Sequence, residues 1–259
     1  MAATIVVRVR LFAAIAEAAG TRELTLTLPA GSRLGEAIAE LARAVPAVAP
    51  WTQRVALARN HVYADPGEPL ADGDEIALIP PVSGGEGGGE AVSAQGTRAG
   101  EQAPLAEADH GRFLITEAPL DPSRVAALAG HRRAGAISLF CGTVREFTGE
   151  RRTLRLEYDA YAEMAVKEMQ RLAAEIRERW PGTRVAMHHR VGRLGIGEIS
   201  VVVAVAAPHR SEAFTACRFA IDELKRRIPI WKKEVYEDGS EWVGRDGTTP
   251  PTPADKERR

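Results

Sequence analysis

Hydrophobic and polar positions in the N-terminal part of the chain alternate over short segments and then repeat at helical spacing. ELTLTL (23–28) has the period of two that is typical of a half-buried strand. Leu34, Ile38 and Leu41 recur at intervals of three or four and indicate one face of a helix. The pattern predicts strands at TIVVRVR (4–10), ELTLTL (23–28), RVALARN (54–60) and DEIALIP (74–80), and helices at LFAAIAEAAG (11–20) and LGEAIAELARAV (34–45). This order is typical of a small α+β roll of the β-grasp type.

A second series of periodic segments begins after a glycine-rich stretch. It predicts strands at 112–117, 136–145, 153–159, 184–192 and 198–206, helices at 121–130, 161–179 and 211–228, and short extended pieces at WKKEVY and SEWV. The residues between the second and third of these strand positions, EFTGERR, are expected to form a loop. We therefore expect a second, separate α+β domain of two layers.

The stretch between the two series is unsuited to a folded core. Seven glycines lie between positions 84 and 100, together with Ser, Gln, Thr and Glu but no aromatic residue. The expected organisation is a β-grasp domain at 1–85, a flexible linker at 86–111, a second domain at 112–245 and a disordered tail at 246–259.

Composition narrows the class of protein. The 259 residues carry a net charge of −1, which gives no general attraction to nucleic acid or to membranes. Two distant cysteines, Cys141 and Cys217, favour a reducing compartment over a disulfide framework. The apolar N-terminal stretch is interrupted by arginines, and the run VVVAVAA (201–207) is too short to cross a bilayer. We expect a cytoplasmic protein.

The segment IPPVSGG (79–85) raises a specific question, because it ends in Gly84-Gly85 and the chain then continues. Two glycines without Cβ atoms fit, fully extended, into a slot that excludes any side chain. The alternative is that the flexible linker simply begins here.

Three other segments have candidate chemistry. His209 and Arg210 stand at a predicted helix start, where Ser211 is a candidate N-cap, and such a start suits an anionic ligand. Arg145 opens a glycine-containing loop, a suitable place for a guanidinium that binds phosphate. For each of them a solvated surface residue is the alternative. Cys141 is a nucleophile, a persulfide carrier or an inert buried thiol. A metal shared by the adjacent strand residues 188 and 189 is not expected, since they point to opposite faces.

The segment DELKRRIPIWKKE (222–234) is locally basic. Lys225 lies near a helix end, Lys232 follows the proline break, and Trp231 beside it is suited to wall a pocket or stack on a flat ring. A solvated charged face is the alternative reading. Nucleic-acid binding is weaker, because the chain is poor in aromatic residues and has no base-stacking motif.

In this order, IPPVSGG, FCGTVRE, APHRSEAF and LKRRIPIWKKE resemble characteristic segments of the two subunits of molybdopterin synthase, joined in one chain. The resemblance implies a sulfur-carrier half whose terminal glycine is adenylated by a separate activating enzyme and converted, with a sulfur donor, to a thiocarboxylate. It further implies transfer of that sulfur to cyclic pyranopterin monophosphate, which forms the molybdopterin dithiolene. No metal or tightly bound cofactor is implied beyond the glycine thiocarboxylate, and the large half is expected to dimerise.

The resemblance also assigns roles to residues. Gly85 is implied as the sulfur-bearing terminus behind Gly84, Lys225 as the acid–base residue and Lys232 as its electrostatic support. The residues implied in substrate binding are Arg145, His209, Arg210, Phe140 and Trp231.

An internal Gly-Gly is the main departure from the family, because a glycine in a peptide bond has no carboxylate to activate. We expect a processing protease to cut after Gly85. The alternative is a non-catalytic fusion in which the ubiquitin-like half is a permanent docking or inhibitory module, and a second alternative is an adaptor that binds anions or RNA.

Overall fold

The computed structural model describes residues 3–81 and 110–243. The Gly84-Gly85 tail, nearly all of the expected 86–111 linker and the expected 246–259 tail lie outside the described residues. Within the described part, no helix combines the length and the apolar character that a bilayer span requires.

The N-terminal domain is a β-grasp. Its strands are β1 (Thr4–Leu11), β2 (Glu23–Pro29), β3 (Ala56–Arg59), β4 (Val62–Tyr63) and β5 (Glu75–Ile79), and its helices are α1 (Ala13–Ala19), α2 (Leu34–Ala44) and a 3-10 turn (Pro46–Trp51). The sheet order is β2-β1-β5-β3-β4, with β1 and β2 antiparallel and β1 and β5 parallel. Gly20 ends α1 in the left-handed region at φ 69°, as its position predicted. The short β4 and the 3-10 turn are additions to the predicted elements.

The core of this domain follows the predicted apolar pattern. Val7, Val9 and Leu11 on β1 are fully buried, and Leu34 and Leu41 pack over the sheet from α2. The alternation that predicted the strands therefore buries one face under the helix.

The C-terminal domain has two sheets and three helices. Its elements are β6 (Phe113–Thr116), α3 (Pro122–Ala129), β7 (Ala136–Thr143), β8 (Phe147–Thr148), β9 (Arg151–Ala160), α4 (Ala162–Arg179), β10 (Arg184–Arg190), β11 (Gly192–Leu194), β12 (Ile199–Ala207), α5 (Arg210–Arg227), β13 (Ile230–Tyr236) and β14 (Gly239–Val243). One sheet has the order β6-β10-β12-β7, and the other has β11-β9-β13-β14 with β8 paired to β9. The expected EFTGERR loop is thus wrong in part, because Phe147 and Thr148 pair with Arg152 and Arg151 in a small hairpin.

Helices cover both faces of the first sheet. Met169 of α4 and Ala220 of α5 pack on one face with Val203, while Val125 of α3 packs on the other face with Val202. The start of α3 agrees with the sequence, since the Asp121 carboxylate accepts a 2.8 Å hydrogen bond from the Ser123 N–H and Pro122 is the first helical residue.

The direction of β12 determines where α5 begins and ends. β7 and β12 are antiparallel, with Ala136 opposite Ala207 at one end and Thr143 opposite Ile199 at the other. Since α5 follows β12 and packs back over β7 and β12, its N-terminus lies at the Ala207 end of the sheet. Its C-terminus lies at the Thr143 end.

The two domains share an aromatic cluster. Phe12 of the β-grasp domain stacks on Trp231 with ring centroids 5.1 Å apart and lies 4.8 Å from the Tyr161 ring. Met164 and Ile79 are buried in the same cluster. Apolar surface of the β-grasp domain is therefore covered by the C-terminal domain instead of by its own core.

Polar contacts surround this cluster. The buried Tyr161 hydroxyl donates to the buried Glu75 carboxylate, which also lies 3.0 Å from a guanidinium nitrogen of Arg8. Asp159 accepts the Ala13 N–H at 2.9 Å and the Arg22 guanidinium at 2.7 Å. Burial and the bond to Glu75 hold the pKa of Tyr161 above its ordinary value, so the hydroxyl remains a proton donor.

Replacing Phe12 by Ala is expected to weaken this docking and leave the β-grasp core intact, because Phe12 packs in the shared cluster and not in that core. Loss of a buried aromatic anchor costs about 2 kcal/mol or more. The full-length chain should become more extended in small-angle X-ray scattering, and a fluorescence quencher should gain access to Trp231. The control is Phe147→Ala, which removes a ring that is 53% exposed. An unchanged scattering profile for the Phe12 variant would contradict the docking role.

Candidate functional site

Three positively charged side chains come together from three separate elements. Lys225 lies in the last turn of α5, Arg145 lies two residues beyond β7, and Lys232 lies in β13. The pKa of Lys225 lies below its ordinary value, mainly because the surrounding protein partly desolvates its ammonium group. The positive charges of Lys232 and Arg145 lower this pKa further, and the negative charge of Asp222 partly offsets them. Arg145 and Lys225 remain exposed to solvent, and Lys232 is half-buried. The cluster is thus suited to bind an anion and to move a proton.

Lys232 is held in place by a buried carboxylate that the sequence reading missed. Its Nζ lies 2.6 Å from Glu234, which is 3% exposed and also accepts from the hydroxyls of Tyr236 at 2.7 Å and Thr148 at 2.9 Å. Burial alone would raise the pKa of Glu234, but the hydrogen bond from Lys232 and those from the two hydroxyls hold it below its ordinary value. The sequence does contain this information, because Lys232 and Glu234 are two positions apart in one extended segment and their side chains therefore share a face.

Trp231 connects the β-grasp domain to this region. Its indole Nε1 donates a 3.1 Å hydrogen bond to the Pro80 carbonyl, next to the end of the described part of that domain. Lys233 faces the same way and pairs with Glu17 at 2.6 Å. Alternation along β13 therefore directs Trp231 and Lys233 to the docked domain and Lys232 to the opposite face.

His209 and Arg210 are not part of the same cluster within one chain. His209 is the N-cap of α5 and Arg210 its first residue, so the expected cap at Ser211 is wrong by two positions. Arg210 and Lys225 are fifteen residues apart on one straight helix, about 22 Å at 1.5 Å per residue. The single chain thus separates the sequence-predicted anion-binding residues into two groups.

The two predicted aromatic residues also lie in different places. Phe140 faces α5 and is packed against the core cluster that contains Leu224. Trp231 is 2% exposed and lies in the cluster shared by the two domains. Phe140 therefore lies beside α5, whose last turn carries Lys225, and Trp231 lies where the two domains dock.

Other candidate side chains lie outside the cluster. Burial raises the pKa values of Cys141 and Cys217, and both thiols are free. The His188 Nε2–H donates a hydrogen bond to the Gly111 carbonyl at 2.8 Å, and burial lowers the pKa of His189 to about 4. In residues 3–81 and 110–243 no group of three or more His, Cys, Asp or Glu side chains is arranged to hold a metal ion.

Comparison with known proteins matches each domain separately. The MoaE protein family matches residues 115–227 and the ThiS family matches residues 9–85. The molybdopterin synthase catalytic subunit of Bacillus subtilis (strain 168) is 49% identical over 133 residues, which are 51% of this chain and 85% of that protein. The chain belongs to the molybdopterin synthase catalytic-subunit family. It carries a ThiS-family domain ahead of the catalytic-subunit domain.

Two further relatives agree with this assignment. The molybdopterin synthase catalytic subunit of Nostoc sp. is 51% identical over 133 residues, covering 51% of this chain and 81% of that protein. The crystal structure of molybdopterin synthase from Staphylococcus aureus matches with a TM-score of 0.50 and 42% identity, over 51% of this chain and 97% of that one. The sequence-based assignment to a fusion of the small and large subunits is confirmed. The two domains together indicate an enzyme with a role in molybdenum cofactor biosynthesis.

Replacing Lys232 by Gln is expected to raise the pKa of Lys225. The change removes a nearby positive charge and leaves the Glu234 carboxylate without its lysine partner. Both effects favour a protonated Lys225. An NMR pH titration of the Lys225 side chain measures this directly. Lys233→Gln is the matched control, because Lys233 faces the docked domain. A Lys225 titration that is unchanged in the Lys232 variant would show that the two ammonium groups are not coupled.

Proposed function

We propose that this chain transfers sulfur from a thiocarboxylate at Gly85 to cyclic pyranopterin monophosphate and forms the dithiolene of molybdopterin. The observation that carries the proposal is the hydrogen bond from Trp231 to the Pro80 carbonyl. It holds the end of the β-grasp domain one residue away, along β13, from Lys232. Gly85 is the fifth residue beyond Pro80, a reach of about 17 Å when fully extended. We propose that the tail passes β13 and reaches the basic cluster within this length.

The residues of the cluster have complementary roles in this proposal. In each of two transfers, the thiocarboxylate sulfur attacks a substrate carbon and forms a C–S bond, while a C–O bond at that carbon breaks and its oxygen leaves as water or phosphate. Water then hydrolyses the resulting thioester, which leaves a thiol on the substrate and a free glycine acid. Lys225, with its lowered pKa, moves the proton. Lys232, paired with the buried Glu234 carboxylate, stabilises the negative charge that develops, and Arg145 binds the substrate phosphate. The thiocarboxylate is the sulfur donor, and the scheme uses no tightly bound cofactor.

Processing after Gly85 follows from the chemistry of the carrier. While Gly85 is joined to Glu86, its carbonyl belongs to an amide, and an activating enzyme has no carboxylate to adenylate. The ThiS-family match ends at residue 85, which supports that position for the cut. We propose that a protease releases the carrier, which is then adenylated and sulfurated by separate enzymes.

Conversion of the pyranopterin substrate in vitro tests the function. A 1–85 fragment with a terminal thiocarboxylate, mixed with the 112–259 half, is expected to form product, whereas a chain made resistant to cleavage at the 85/86 junction is not. Lys225→Ala in the 112–259 half should lower the rate at least a hundredfold, as loss of acid–base catalysis does. The control is Lys167→Ala, which removes an exposed lysine on α4.

Two results would contradict this function. Product from the cleavage-resistant chain would show that a free glycine acid is not needed. A Lys225→Ala variant of unchanged rate would favour the alternative in which the β-grasp half is a permanent docking or inhibitory module. The tight aromatic docking is the observation that keeps this alternative open.

A second copy of the chain is proposed to complete the substrate site. β7 is an edge strand, and Ile137 at 48% and Leu139 at 42% exposure lie along it. Phe214 on α5, which packs over this strand, is 65% exposed. Antiparallel pairing of two β7 edges about a two-fold axis would cover these side chains.

The same pairing brings the separated anion-binding residues together. It places the Ala136 end of one β7 strand beside the Thr143 end of the other, and α5 of the second copy runs in the opposite direction on the same face. The His209 and Arg210 of one protomer then approach the Lys225 and Arg145 of its partner. The site would thus draw on both protomers.

Coexpression of two inactive variants tests this shared site. Lys225→Ala and His209→Ala chains, combined at random, should recover up to about a quarter of wild-type activity, because half of the dimers are mixed and each mixed dimer has one intact site. Lys225→Ala combined with Arg145→Ala should recover nothing, since these residues serve the same protomer's site. Equal recovery in the two combinations, or none in either, would refute the two-protomer arrangement.

A further inference from the structure

A second basic cleft lies at the opposite edge of the first C-terminal sheet from β7. It has a volume of about 230 Å³ and is formed by the end of α4, the segment after α3 and the beginnings of β6 and β10. Its basic side chains are Arg112, His131, Arg133, Arg177 and Arg184.

This cleft is distinct from the Lys225 cluster. Arg184 pairs with Ala206 at one end of β12, whereas Arg145 follows Thr143 at the other end of the neighbouring strand. The nine residues of β12 span about 26 Å at 3.3 Å per residue. Three strand spacings of about 4.8 Å also separate β6 from the β7 edge. The cleft therefore stays open in the proposed dimer.

The charge of the cleft is not balanced by its own lining. Four arginines line it, and no Asp or Glu does. Within the part of the chain that the structure describes, Arg133 and Arg177 have no carboxylate within ion-pair distance. Arg184 uses one guanidinium nitrogen to donate to the Gly130 carbonyl at 3.2 Å. Like charges held this close repel each other, and a bound anion would remove that repulsion.

His131 adds a directional donor to the cleft. Its Nδ1 accepts the backbone N–H of Arg133 at 3.3 Å, which places the ring proton of the neutral imidazole on Nε2. That Nε2 is buried and has no hydrogen-bond partner. A buried N–H without an acceptor is unfavourable, and this N–H would gain a partner if the His131 ring, which lines the cleft, turned towards a bound anion.

We infer that this cleft binds a small phosphate-bearing anion. Guanidinium groups converging from several segments match the several oxygens of a phosphate through paired N–H donors. Four arginines in a small volume favour a ligand with more than one negative charge over a single carboxylate. The cleft has room for a phosphate or pyrophosphate group, and a larger molecule would project its remainder into solvent.

The test is titration of the full-length chain with pyrophosphate, orthophosphate and acetate. NMR should show saturable shifts of the Gly182 and Thr183 amides with the two phosphates and not with acetate. The double variant Arg133→Gln with Arg177→Gln should bind pyrophosphate at least tenfold more weakly. Both side chains are exposed, so the fold should be retained. His131→Ala should weaken binding in the same direction.

Two controls separate this cleft from the Lys225 cluster and from general charge. Arg132→Gln removes an equal charge next to Arg133 but outside the lining, and its affinity should stay within twofold of wild type. Lys225→Ala should bind pyrophosphate at the cleft unchanged. Any one of three results would overturn the inference. They are NMR shifts confined to the Lys225 region, an equal response to acetate, and a double variant that binds pyrophosphate as well as wild type does. None of these outcomes depends on sulfur transfer.

Discussion

The packing of Phe12 on Trp231 is the interaction on which the arrangement of this molecule depends. It is the point where the β-grasp domain gains contact with β13, and β13 also carries Lys232. Because a strand alternates its side chains, one short segment presents an aromatic docking surface to one side and the Lys232 cation to the other. Docking and the position of the basic cluster are therefore fixed by the same backbone. A shift of β13 by one residue would exchange the two faces and lose both.

A second constraint comes from the length of α5. A helix of eighteen residues keeps its ends apart, so Arg210 and Lys225 are never neighbours in one chain. Arg210 and Lys225 are only fifteen positions apart in the sequence, so the sequence alone does not show that they lie at opposite ends of one helix. A second copy of the chain whose α5 runs antiparallel would place the N-terminus of its α5 beside the C-terminus of the first α5. The exposed edge of β7 provides a surface for such a neighbour, which is why the edge strand and the split site are best explained together.

Local signals in the sequence predicted most of the elements, since each depends on a repeat or a cap within a few residues. Gly20 and the Asp121-Pro122 start are examples. Contacts between distant segments were not predictable in this way. Glu75 accepts from Tyr161 across 86 positions, and no local pattern marks either residue as a partner. The β8 hairpin was missed because its two-residue strand is too short for alternation to be detected. The family resemblance, which rests on several segments together, identified the basic cluster that periodicity alone left open.

The interface between the two domains has an aromatic centre and a polar rim. Its centre is aromatic and buried, so it supplies the apolar stabilisation that holds the β-grasp domain in place. Its rim has ion pairs with exposed partners, Arg22 with Asp159 and Lys233 with Glu17, and such pairs contribute roughly 0–1 kcal/mol each. Fusion raises the local concentration of the carrier near its partner surface without adding any contact. Cleavage would remove that advantage, and the aromatic centre would then have to hold the released carrier by itself. If the two halves are separated as proposed, Phe12, Tyr161 and Trp231 provide the buried contact for each return of the β-grasp domain.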